Sequence, residues 1–93
     1  MNYDLSFKEE ALREWRKLDP TVRTQFKKKL IERLDCPRIA SSQLLGHTDR
    51  YKIKLRSAGF RLVYEVRDTE LLVVVIAVGK RDRNLVYKAA EKR

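Results

Sequence analysis

The sequence predicts an α+β chain: an N-terminal strand and a two-helix hairpin pack on a small, mainly antiparallel four-stranded sheet, with a short C-terminal helix. Three observations predict it. Apolar residues between 8 and 35 recur at three- and four-residue spacing, the period of an amphipathic helix. From Tyr51 the pattern changes to alternation, the period of a strand with one buried face. The run "LLVVVIAV" at 71–78 is apolar on both faces, as a central strand must be.

Tyr3, Leu5 and Phe7 alternate with polar neighbours and predict the first strand. Ser6-Phe7-Lys8-Glu9 has the form of a capping box, and Ala11, Leu12, Trp15 and Leu18 place an amphipathic helix over 8–18. Asp19-Pro20 supplies an N-cap acid followed by proline in the first helical position. Val22, Phe26, Leu30 and Leu34 then carry a second helix from 20 to about 35, ending before Cys36-Pro37. The other faces of this hairpin hold Arg16, Lys17, Arg23, Lys27, Lys28, Lys29 and Arg33. Each taken singly is a solvated surface cation; together they form a surface that can grip a phosphate backbone.

Residues 37–49, with Pro37, paired serines, Gly46 and Thr48-Asp49, read as an irregular connection. Strands follow at 51–56, 60–67 and 71–78, with turns at Ser57-Ala58-Gly59 and Asp68-Thr69. A hairpin turning near Ala58-Gly59 pairs Arg56 with Arg61, Leu55 with Leu62, Lys54 with Val63 and Lys52 with Glu65. Ile53, Leu55, Leu62, Tyr64 and Val66 then share the buried face. Lys52, Lys54, Arg56 and Arg61 share the other. In "GKRDRNLVYKAAEKR" Gly79 ends the strand, Asp82 caps a helix, and Leu85, Val86 and Ala89 give that helix a narrow, weakly held apolar stripe.

Ninety-three residues suit one domain, 1–93. Lysine and arginine number 22 against 13 acids, a net charge of +9, and a field of that sign draws polyanions, nucleic acid first. No segment approaches a membrane span, and MNYDLSFKEE lacks the apolar core of a signal peptide, so a cytosolic protein with no membrane partner is expected. Cys36 and His47 are each the only residue of their type. Chemistry here must proceed without a histidine pair, a thiol framework or a metal cage, and no cofactor is expected.

The segments "EEALREWRKLDPTVRTQFKKKL", "YKIKLRSAGFRLVYEV" and "VVVIAVGKRDRNLVY", in that order, resemble the RelE-type toxins of bacterial toxin–antitoxin pairs over essentially the whole chain. The most specific parts are Lys-x-Lys-x-Arg with the downstream Gly-x-Arg-Leu-Val-Tyr, and Gly-Lys-Arg-x-Arg followed by Tyr87. The resemblance implies a compact fold like that of small microbial ribonucleases. It also implies metal-independent cutting of messenger RNA in the ribosomal A site by attack of a 2′-hydroxyl on the adjacent phosphate. It assigns active-site roles to Lys52, Lys54, Arg61, Arg81 and Tyr87. Beside these, the cations Arg56, Lys80 and Arg83, with Arg23, Lys27 and Lys28 of the second helix, are expected to bind RNA by their charge. Leu45 departs from a close family member that carries arginine there. A RelB-type antitoxin is the implied partner, with operator DNA met only through the antitoxin complex.

The residue types fit that chemistry. A phosphorane-like transition state gathers negative charge, and each preorganised cation aimed at it is worth about 10²–10³ in rate. Guanidinium groups at 61 and 81 hold paired phosphate oxygens and stay charged. A lysine among cations has its neutral form favoured, which lets Lys52 or Lys54 accept the 2′-hydroxyl proton. The predicted pairing of Lys52 with Glu65 leaves Lys54 as the base. Two rival readings share the fold or the charge: a toxin that inhibits DNA gyrase, and a basic RNA-binding module without chemistry.

Overall fold

The computed structural model describes residues 2–93. In chain order the elements are β1 (Asp4–Phe7), α1 (Glu9–Arg16), α2 (Pro20–Asp35), a 3-10 turn at Ala40–Ser42, β2 (Arg50–Leu55), β3 (Phe60–Arg67), β4 (Leu72–Lys80) and α3 (Leu85–Glu91). The fold is α+β. The strands form one four-stranded sheet in the order β1-β4-β3-β2, parallel between β1 and β4 and antiparallel elsewhere.

The start of α2 follows from its first residues. Asp19 accepts the Thr21 amide at 2.9 Å, and Pro20 sits where no amide hydrogen is needed. Its every-fourth residues Val22, Phe26, Leu30 and Leu34 are buried together with Ala11, Leu18, Ile53, Leu55, Leu62 and Tyr64, forming the larger core between the helix hairpin and the sheet. The start of α1 differs from the capping-box expectation: Lys8 is the N-cap and makes no side-chain cap bond. Ser6 is consumed by the sheet, where it pairs with Val74, so its hydroxyl is not at the helix end.

The hairpin register also differs from expectation. Lys54 stands opposite Arg61, Leu55 opposite Phe60, Lys52 opposite Val63 and Arg50 opposite Glu65. The connection is a loop over 56–59 rather than a tight turn: Gly59 takes φ +72°, a conformation natural to glycine, and its N–H donates to the Leu55 carbonyl at 2.8 Å. Arg56 therefore leaves the sheet. The shift is of two residues, which preserves the faces, and Ile53, Leu62 and Tyr64 stay buried.

The second face of the sheet carries a smaller core. Val63, Val74, Ile76 and Ala77 meet Val86 and Ala90 of α3. Helices thus cover both faces, not one. The stripe on α3 differs from the expected one: Val86 and Ala90 are buried with Ala89 beside them, Leu85 is exposed, and the helix is held by more than apolar contact. Arg50 donates to the Ala90 carbonyl at 2.6 Å, His47 lies 2.6 Å from Glu91, and Arg93 meets Glu14 at 2.8 Å and the Ile76 carbonyl at 3.0 Å. Asp82 does not cap it; Asn84 occupies the N-cap, and Arg83 and Asn84 are both left-handed, with φ 49° and 60°. The 37–49 connection is pinned by Arg38, which bridges Asp49 at 2.9 Å and Asp68 at 2.8 Å. Among the described residues no helix is long and apolar enough to cross a membrane.

Candidate active site

Alternation along β2 puts Lys52 and Lys54 on the sheet face that α3 partly covers, beside Val63 of the second core. Lys54, Arg61 and Gly79 form one row across β2, β3 and β4. A β-bulge produces that row: Val63 pairs with Ala77 but Tyr64 pairs with Val75, leaving Ile76 as the extra residue. Ile76 and Ala77 both enter the α3 core, so the parity of β4 inverts beyond them. Val78 turns to the larger core, and Gly79 rather than a bulky residue lies next to Arg61. Past β4 the Arg81 amide bonds the Gly59 carbonyl at 2.7 Å, tying this segment to the β2–β3 loop. Arg61, Arg81 and Tyr87 line one tight crevice at the start of α3.

The charges at this face are unbalanced. Elsewhere five arginines find acids: Arg13 with Glu9, Arg38 with Asp49 and Asp68, Arg50 and Arg67 with Glu65, Arg93 with Glu14. Among the described residues Lys52, Lys54, Arg56, Arg61 and Arg81 make no ion pair with a carboxylate. Arg61 is 6% exposed and donates to the neighbouring Phe60 carbonyl at 2.8 Å, so its cation is fixed and largely desolvated without a counter-ion. The result registers on Lys54. Its pKa is lowered, first by the Lys52 charge, then by partial desolvation and by Arg56, Arg61 and Arg81. Such a face stores repulsion that a bound phosphate relieves.

Of the residues expected at the site, Lys52, Lys54, Arg56, Arg61, Arg81 and Tyr87 come together. Glu65 is not beside Lys52: it bonds Arg50 at 3.1 Å and Arg67 at 2.8 Å, which removes the pairing argument that made Lys52 the permanently charged lysine. Lys80 pairs with Phe60, on the opposite sheet face from the Arg61 row, although it borders the crevice. Arg83 and Lys28 are exposed. Arg23 and Lys27 line a separate groove with Leu5, Phe7 and Trp15. On the other flank of α2, Lys29 and Arg33 border Lys54 and Arg56, which the sequence signals only as members of a cationic helix surface. Leu45 is fully exposed at a loop tip. Cys36 is a free, exposed thiol, and the described residues contain no cluster of three or more potential metal-ligating side chains.

The family model described as the ParE toxin of the type II toxin–antitoxin system parDE matches residues 5–85. The mRNA interferase toxin RelE of Escherichia coli K12 is 59% identical over 93 residues, covering 100% of this chain and 98% of that protein. The chain belongs to the RelE-type toxins. Two solved structures agree with this assignment. The E. coli toxin RelE (R81A/R83A) mutant in the free state superposes with TM-score 0.92 at 57% identity, covering 100% of this chain and 98% of that one. The same mutant in complex with an antitoxin RelBc peptide gives TM-score 0.86 at 57% identity, covering 97% and 95%. In this RelE-type toxin the unpaired cations therefore sit on a fold shared with proteins named as mRNA interferases.

Proposed function

We propose that this protein, as one toxin domain over 1–93, is an mRNA interferase that cuts messages in the ribosomal A site and is neutralised by a RelB-type antitoxin. The observation that carries the reading is the convergence of Lys52, Lys54, Arg56, Arg61 and Arg81, none of which makes an ion pair with a carboxylate among the described residues, although Asp82 lines the same crevice as Arg61 and Arg81. Lys54, with its lowered pKa, takes the proton from the 2′-hydroxyl as that oxygen attacks the adjacent phosphorus. Arg61 and Lys52 hold the developing charge on the non-bridging oxygens. The bond to the 5′-oxygen breaks, Arg81 hydrogen-bonds that oxygen while solvent water supplies its proton, and a 2′,3′-cyclic phosphate and a 5′-hydroxyl result; the proton on Lys54 returns to solvent. Tyr87 stacks on a base or sets the nucleophile. A site with so weak a base depends on a substrate already bent in line, where positioning supplies about 7–11 kcal/mol, so free RNA is a poor substrate.

The place of action is the cytoplasm, with operator DNA reached only through the antitoxin complex. Primer extension on translated messages, with Arg81→Ala as control, tests the reading. Discrete cuts in phase with codons, lost in the variant, support it. A supercoiling defect without cuts favours the gyrase-inhibitor reading, and binding without either effect favours a non-catalytic module.

A further inference from the structure

Two grooves border the outer edge of β2, which is an edge strand. One, of about 420 Å³, is lined by Gln25 and Lys29 of α2, Lys54 and Leu55 of β2, and the loop residues Arg56, Ser57 and Ala58. The other, of about 370 Å³, is lined by Arg33, Ser41, Ser42, Lys52, Lys54 and Arg56. They share Lys54 and Arg56 and so adjoin along the cationic face, an open surface channel with these two side chains at its middle. We propose that this channel is a track for the ribose–phosphate backbone of the substrate strand beyond the scissile bond, with Lys29 and Arg33 as its outer phosphate contacts and Ser41 and Ser42 as its hydroxyl contacts. The proposal rests on the nuclease reading above and extends it to residues outside the catalytic set.

Gln25, Lys29 and Arg33 are spaced i, i+4, i+8 and so form a single row along α2, rising about 6 Å per step. Lys52 and Lys54 leave β2 toward the other sheet face but line the same grooves at its edge, and they are separated by two strand residues, about 6.6 Å. Two rows of donors with nearly equal period suit a chain that repeats one phosphate per unit. Arg33 is held in place: its Nη1 donates to the Tyr64 hydroxyl at 2.8 Å and to the Lys52 carbonyl at 3.4 Å, while a guanidinium has further donors for a ligand. No carboxylate lines either groove. No aromatic residue lines them either, so nothing there stacks on a base, and the track reads backbone rather than sequence.

The test uses a single-stranded RNA whose 2′-hydroxyls are methylated, so that it binds without being cut. Lys29 is exposed, and Lys29→Ala removes one cation without touching the core. Binding to this RNA should weaken roughly three- to fivefold, as for an exposed charge contact. The slope of log affinity against log salt should fall by about 0.7. On programmed ribosomes the variant should raise KM and leave kcat unchanged. Lys29→Glu should exaggerate both effects, and Ser41→Ala with Ser42→Ala should weaken binding without changing the salt slope. Unchanged affinity and slope in Lys29→Glu would overturn the track and leave the nuclease reading intact if the wild type still cuts. A loss seen only on ribosomes, with free RNA binding unaltered, would assign the groove to ribosomal RNA and overturn it as a substrate track. A wild type that binds through Lys29 but never cuts would instead overturn the nuclease reading.

Discussion

Replacing Lys54 separates its charge from its proton chemistry. Lys54→Ala deletes both, and codon-phased cutting should fall by about 10²–10³, the usual loss for one preorganised group at a charged transition state. Lys54→Arg keeps the cation in the row with Arg61 but cannot give up its proton near neutral pH. If Lys54 is the base, the arginine variant is as defective as the alanine one. The pH dependence follows from the direction of the shift: the pKa is lowered by Lys52 first, then by partial desolvation and by Arg56, Arg61 and Arg81, so the neutral fraction at a given pH is larger than for a free lysine. The single-turnover rate on programmed ribosomes should rise with pH through the pKa of Lys54 in the complex, which the bound phosphate raises above that of the free site, and this limb should vanish in Lys54→Ala. Stability has its own sign. Between the lowered folded-state pKa and the ordinary lysine value the unfolded chain binds more protons, so stability rises with pH across that window; below it the repulsion acts in full. Lys54→Ala should therefore be at least as resistant to urea as the wild type at neutral pH. An arginine variant cutting at nearly the wild-type rate, or an alanine variant that keeps the pH limb, would refute the role as base.

Glu65 gives a second pH effect of the same slope but from the opposite cause, a charge that the fold favours rather than one it penalises. Burial penalises its charge, but hydrogen bonds from Arg67 and Arg50 outweigh that and hold its pKa below the usual carboxylate value. Its contribution is present above the unfolded value of about 4.3 and is lost as pH falls through the folded one. Glu65→Gln should lower Tm at neutral pH and flatten its decline in acid; melting curves that shift in parallel at every pH would contradict this. Tyr64 is fully buried, donates to the Pro37 carbonyl at 2.6 Å and accepts from Arg33 at 2.8 Å. Tyr64→Phe should cost about 1–2 kcal/mol in urea unfolding by leaving that carbonyl unpaired. A loss below about 0.3 kcal/mol would mean water replaces the hydroxyl without penalty.

Features written in local chemistry were legible in the sequence. Asp19-Pro20 marks the start of α2, alternation sorts Lys52 and Lys54 from Ile53 and Leu55, and the doubly apolar run marks β4 as interior. Features set by tertiary competition were not. Ser6 has the right spacing for a cap, yet the sheet claims it, and Asp82 yields its place to a left-handed Asn84. The hairpin register depends on Gly59 adopting positive φ within a longer loop, and Ala-Gly is compatible with several turns. The bulge at Ile76 has no residue signature at all, although it decides which side Gly79 lies on. The cations of the hairpin were legible as a site because one strand displays them. Lys29 and Arg33 were not singled out, because the neighbour of a helix flank is fixed only by how the helix lies over the sheet.

The row Lys54–Arg61–Gly79 runs along the hydrogen-bonding direction of the sheet. Adjacent members are therefore separated by the distance between strands, about 4.8 Å, a length the backbone cannot alter without breaking its own ladder. The backbone of that row cannot open or close around a ligand, and only the side chains adjust. The larger adjustment in the encounter falls to the nucleic acid, which must bring its phosphate to a ruler whose divisions are already cut.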